Sequence, residues 1–327
     1  MLALLRYRRI AHRVVWGTHF DPPTGYPTPK VKLLPTIYME SPEGMQALVD
    51  STPLIRRLEI EFSERRVVPE DPLLRFLDLL IEDFADEWVT KAMFHYRWHH
   101  APDAAHAAPL LAYSQNLQLS PQQAAQRSQA FAQRQISRLS VVGSNAVTAP
   151  VIEASFERLV GILDRIIERH GFVLGARPAS ADFALYGQLT QLGIIDPTPA
   201  RILGTASPRL RAWVDQVEDL SGHQSDRWIA PPEIQDQLGE LLNEIGRVYA
   251  PFLLANAQAC AAQQLEFQTT IDGHPWVQPV FPYQAKCLQA LQQARLDLPP
   301  LVQASLDQLL QGSGCEVLFQ STRNAHS

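Results

Sequence analysis

The chain has 327 residues, 46% hydrophobic and 19% charged, with a formal net charge of -6. That balance excludes a disordered chain and suits a globular protein with a large core, with two domains as the expectation from length. Lys and Arg sit close to acids along most of the chain, which excludes a basic footprint for nucleic acid, and no apolar run approaches the ~20 residues of a membrane span.

Residues 2–9 predict the end of an amphipathic helix, with Arg6, Arg8, Arg9 and Arg13 forming its water-facing side rather than an anion-binding patch. A β-like run over 12–16 follows, then a loop rich in Pro and Gly. An extended segment over 31–39 contains Pro35, and a short strand is predicted over 46–49. Asp50-Ser51-Thr52-Pro53 reads as a helix start, with cap-type side chains and proline near the first helical position. Asp71-Pro72 is a second such start, and Leu73, Phe76, Leu77, Leu80, Phe84 and Trp88 recur at helical spacing behind it.

Residues 103–120 read as linker or loop, and 121–138 as a polar helix rich in Gln and Ala. Pro150 opens another helix that closes at Arg169-His170-Gly171, basic residues and a glycine suited to a C-terminus. Further helices are predicted over 182–192 and 208–220, and a long helical stretch runs from Pro232 to about 264. Two extended segments flank Asp272-Gly273, a hairpin turn signal, and two more helices start at Tyr283 and Pro299.

His95 and His99 are four residues apart, but the acids of the same helix, Asp83 and Glu87, lie well away along it. No metal is therefore expected. Cys260, Cys287 and Cys315 lack metal-ligand spacing, and their odd number without a secretory leader predicts reduced thiols in the cytoplasm.

Two motifs carry a family resemblance. The first is Leu33-Leu34-Pro35-Thr36-Ile37, followed by Asp50-Ser51 at a helix start. The second runs from Phe172 to Gly187 and includes Gly175, Pro178 and Ala181-Asp182-Phe183. Together they are similar to the glutathione S-transferases, and the likeness spans roughly residues 1–222. It implies a mainly α protein, α+β overall. An incomplete thioredoxin-like domain (1–62) and a linker (63–72) would precede an all-helical C-terminal-like bundle (73–222). A helical extension (223–327) would hold the hairpin near 265–280.

In the family the proline at position 35 is cis, the residue before it offers its backbone to the cysteinyl part of glutathione, and the acid–serine pair holds the γ-glutamyl end. The resemblance therefore makes Leu34, Pro35, Asp50 and Ser51 glutathione-site candidates. A helix N-terminus suits a carboxylate and an acid suits an ammonium. The second motif is a folding element in the family. Here Ala179 takes the place of its usual capping hydroxyl, which predicts the loss of one cap hydrogen bond unless Ser180 substitutes.

The helix bordering the electrophile pocket corresponds to residues 82–98, so Tyr96, Arg97 and Trp98 are candidates to line that pocket. The family's catalytic Ser, Cys or Tyr lies at the end of a strand before the first helix, where this sequence has not yet begun, and no catalytic residue is assigned. A translation start placed late in a longer protein is the expectation, with a true N-terminal loss as the competing explanation, and weak glutathione binding is expected of the chain as it stands. The implied function is activation of the glutathione thiol, as co-substrate, for attack on a small electrophile, in a cytoplasmic homodimer without nucleic-acid or membrane partners. The alternative is a non-catalytic binding or assembly module of the same fold. The segment around Tyr283 and Lys286 is either a lid over the ligand cleft or structure packed on the bundle.

Overall fold

The computed structural model describes residues 1–16, 25–33, 35–224 and 226–320. Helix α1 (Leu2–Tyr7) turns Ala3, Leu4, Leu5 and Tyr7 into the core. Its arginines form the expected wet face only in part: Arg9 and Arg13 are exposed, Arg6 is half-buried and Arg8 is buried. Arg8 is 4% exposed and pairs with Glu59 at 2.8 Å, Arg9 donates to the Ser221 carbonyl at 2.8 Å, and Arg6 binds Glu218. These cations are spent on holding the first helix against the rest of the molecule.

Residues 11–16 form no strand, although their composition suits one. A strand persists only where its N–H and C=O groups find a partner ladder. The extended segment around Pro35 shortens to β1 (Ile37–Ser41), because proline cannot donate to a ladder. β1 pairs antiparallel with β2 (Gly44–Leu48), and the register opposes Ile37 to Leu48. Pro35 and Asp50 therefore leave the hairpin at the same end.

Helix α2 (Ser51–Glu61) follows directly, with Asp50 as N-cap. Helix α3 (Pro72–Phe84) starts as predicted, Asp71 accepting from the Leu73 and Leu74 N–H groups at 2.9 Å each. It runs through a π-helical turn (Ala85–Val89) into α4 (Thr90–His99). The segment read as a loop is instead α5 (Ala101–Gln115), opened by Pro102 and rich in alanine, and it packs on α6 (Pro121–Ile136). Alanine's helix propensity and its small size allow close helix packing there.

The long α7 (Ala149–His170) ends at Gly171 in the left-handed conformation. Helices α8 (Ser180–Thr190), α9 (Pro197–Ala206) and α10 (Pro208–Val217) complete the central bundle. The remainder comprises α11 (Ile234–Glu244), a second π turn (Ile245–Tyr249), α12 (Ala250–Ala261), the β3–β4 hairpin (Glu266–Ile271 and His274–Pro279), α13 (Pro282–Leu296) and α14 (Pro300–Leu310). Asp272 and Gly273 take positive φ values of 52° and 75° in the hairpin turn, as the Asp-Gly signal predicts. α13 and α14 both pack on α3, and one apolar core runs from Ala3 to Leu318. The described residues are thus mostly helical, with two small antiparallel sheets among them. Among the described residues no helix is long and apolar enough to cross a membrane.

The Phe172–Gly187 motif shows why its residues are needed. Gly175, at φ 133°, lies so close to the Trp228 segment that a β-carbon would sit 2.8 Å from the Ile229 nitrogen. The Leu174 carbonyl takes the Ile229 N–H at 2.8 Å across this contact. Asp182 accepts from the Val173 and Ala179 N–H groups at 2.9 and 2.8 Å. The hydroxyl missing at position 179 is replaced from another helix: Asp78 on α3 accepts from the Ala181 N–H at 2.9 Å and from the Ser180 hydroxyl at 2.6 Å. Ser180 acts here as a donor, and the cap has become a tertiary contact between α3 and α8.

Candidate functional site

The first turn of α2 exposes backbone N–H groups and the positive end of the helix dipole. Asp50 caps it, its carboxylate accepting from the Thr52 N–H at 3.2 Å. Its φ of 78° is the left-handed region, sparsely used by residues with a β-carbon. Such strain costs about 1–3 kcal/mol and collects at functional sites. Asp50 and Pro35 are exposed, and Ser51 is half-buried. Leu34 lies outside the described residues.

The α2 N-terminus faces a helix carrying many acids. Thr52 donates to Glu82 at 2.6 Å, and a carboxylate oxygen of Glu82 also lies 2.8 Å from the Ser180 hydroxyl oxygen. Asp83 takes the Tyr249 hydroxyl at 2.6 Å, and Glu87 takes the Gln284 amide at 3.0 Å. The π turn inserts one extra residue, and Glu87 joins Asp83 on the side shared with α13 and the Tyr249 turn. π turns recur at functional sites for this reason.

Burial and mutual repulsion raise the proton affinity of these carboxyls. Burial first, then the field of Glu82 and its neighbours, pushes Asp86 up to about 8, and burial raises Asp83 to about 7. Glu82 and Glu87 are raised by burial too. Asp50 adds to the field acting on Asp86, Glu87 and the Tyr283 phenol, whose own proton is held more tightly through burial. The same environment raises the Cys287 thiol far above its ordinary value, burial acting first and Asp83 next. Asp86, raised furthest above neutral of those with a value, thus offers an acid proton near the free N–H groups of α2. The junction does not favour a thiolate at Cys287.

One turn further, Lys91 is fully buried. Its ammonium lies 3.1 Å from the Val142 carbonyl and 3.3 Å from Gln278 Oε1, with the Phe252 ring centroid 4.0 Å away. Burial lowers its proton affinity to about 7. Gln278 comes from the β3–β4 hairpin, so the extension closes this end of α4.

The three candidates on α4 leave the helix in different directions. Tyr96 is buried, edge-on to Phe156 at 5.3 Å between ring centroids. Trp98 packs against Phe131 of α6. Arg97 is committed to the buried Asp196, Nε lying 2.8 Å from Oδ1, and donates to Gln191 at 2.9 Å. Their spacing puts them on one helix, and successive positions cannot share one face.

A groove of about 480 Å³ lies away from this junction, between α5 and α6, and is lined mainly by alanines such as Ala104, Ala108 and Ala124. A separate histidine cluster with metal-ligand chemistry lies at the end of α4, where His95 and His100 meet Glu153. Sequence spacing could not show Glu153 there, because it arrives from α7.

The fold is a mostly helical bundle joined to a small α/β head. Residues 122–216, which run from α6 through α10 and contain the Phe172–Gly187 motif, match the family described as Glutathione S-transferase, C-terminal domain. Over that stretch the chain is similar to the helical domain of that family. No curated protein and no solved structure matches it.

Proposed function

We propose that the α2 N-terminus is a glutathione site in a transferase-like protein. On this reading Pro35, Asp50 and Ser51, with Leu34 before them, hold the tripeptide, and its thiol attacks a small electrophile. What supports it is one juxtaposition: Pro35 and the strained Asp50 share an end of the β1–β2 hairpin, directly at the free N–H groups of α2. The γ-glutamyl carboxylate would take those N–H groups and the Ser51 hydroxyl, and its ammonium would meet Asp50. The head over 1–62 would hold glutathione, and the linker at 63–72 would lead to the bundle over 73–222. The extension over 223–327 would wall the junction through α13. Tyr96, Arg97 and Trp98 are committed to packing and pairing, so the electrophile would lie nearer Tyr283, which is 47% exposed. A cytoplasmic homodimer belongs to the same proposal.

A second reading, a non-catalytic binding module of this fold, is favoured by the acid-lined junction, because neighbouring carboxyls oppose thiolate formation. Calorimetry with reduced glutathione, paired with a conjugation assay using a chromogenic electrophile, separates the two. Saturable binding weakened ~10–100-fold in Ser51→Ala, as for a hydrogen bond to a charged group, together with conjugation above the uncatalysed rate, is the expected result. Binding without conjugation gives the second reading, and neither one rejects both.

A further inference from the structure

His95 lies in the last turns of α4, and its side chain is 0% exposed. Its Nε2 lies 3.1 Å from Glu153 Oε1 on α7. Where α4 breaks, His100 adopts an extended backbone, φ -88° and ψ 121°. This swings its imidazole back beside His95, with ring centroids 5.3 Å apart. Nε2 of His100 is buried without a hydrogen-bond partner, yet it too lies 3.2 Å from Glu153 Oε1. The three ligand atoms fall within 4.8 Å of one another.

We propose that His95, His100 and Glu153 form a binding site for a divalent transition cation, with Zn2+ as the best match to the donor set. Two imidazole nitrogens and one carboxylate oxygen are typical zinc ligands, and tetrahedral coordination at 2.0–2.2 Å separates ligand atoms by about 3.3 Å. Two of the three separations already meet that value. The third closes with small rotations of the partly exposed His100 and Glu153 side chains, 30% and 38% accessible. The same exposure gives an entry path and leaves a fourth position for water.

The surroundings supply the supporting partner that metal-bound histidines require. His95 Nδ1 lies 2.8 Å from the hydroxyl of the buried Ser144. Without metal, Nε2–H donates to Glu153 and Nδ1 accepts from Ser144. With metal, the proton resides on Nδ1, donates to the same hydroxyl and frees the Nε2 lone pair. A cation there would fasten the end of α4 and the start of α5 to α7.

The test is calorimetric titration of the full chain, free of any histidine tag and stripped with chelator, with Zn2+ alone, alongside thermal melts with and without zinc. One zinc per chain and a zinc-dependent rise in melting temperature are expected. His100→Ala and Glu153→Gln, both at partly exposed side chains, should each weaken binding at least tenfold and abolish that rise. His274→Ala, at an exposed hairpin position, should change neither. Absence of a saturable site, or undiminished affinity in either His100→Ala or Glu153→Gln, overturns the assignment. Melts of the zinc-free variants matching the parent show that the loss is of ligation and not of fold.

Discussion

Asp83 and Asp86 hold protons up to about 7 and about 8 in the folded chain, because burial and their acidic neighbours penalise the charged forms. The unfolded carboxyls ionise near 3.8. Between those values the folded state binds more protons, so the stability these groups contribute is complete below the unfolded value. It is lost as pH rises through 7 to 8. His95 and Lys91, lowered to about 4 and about 7, act with the opposite sign over their own ranges. A comparison of variants therefore isolates the effect. Asp86→Asn should gain stability relative to the parent as pH rises from about 5 to about 9, read from urea midpoints. A difference independent of pH would show Asp86 already ionised. Asp78 belongs to the same stripe but is structural: fully buried, it holds Ser180 and the Ala181 N–H, and it replaces the cap that Ala179 cannot provide.

At the scale of elements, one of the contacts that tie the hairpin of the extension to the bundle is especially tight. Gly143, at φ 78°, lies under β4, where an added β-carbon would be 2.2 Å from Gln278 Oε1 and 2.9 Å from the Trp276 ring. Gln278 in turn reaches Lys91 and the Val141 carbonyl. Gly143→Ala combines backbone strain with overpacking and should cost about 2–4 kcal/mol by chemical denaturation. A change under about 0.5 kcal/mol would mean that the hairpin is loosely docked.

Most helices of this architecture were legible from caps and spacing. Asp71-Pro72 starts α3 as read, and Asp272-Gly273 makes the turn. The misses have local causes. The 103–120 stretch lacks an apolar stripe, so α5 shows no periodicity although alanine propensity supports it. The 12–16 run had strand composition without a partner. Arg8 looked solvated because Glu59, its partner, is far along the chain. The candidate site was half legible: Asp50 announces a cap by residue type, whereas its positive φ, the π turn and the convergence of His100 with Glu153 depend on backbone paths that spacing does not encode.

For the whole molecule, the helical domain matched over residues 122–216 supplies a rigid wall. The functional proposal rests on the small head that α3, α8 and α13 support. If the α2 N-terminus is the ligand site, its occupant must contact the head and leave the alanine-lined groove between α5 and α6 untouched. Amide chemical-shift mapping on isotopically labelled protein during titration with reduced glutathione tests this most directly. The account predicts saturable shifts centred on Asp50, Ser51 and Thr52, extending to Tyr283 and abolished in Asp50→Asn. Shifts confined to α5 and α6, or none at millimolar glutathione, would contradict it.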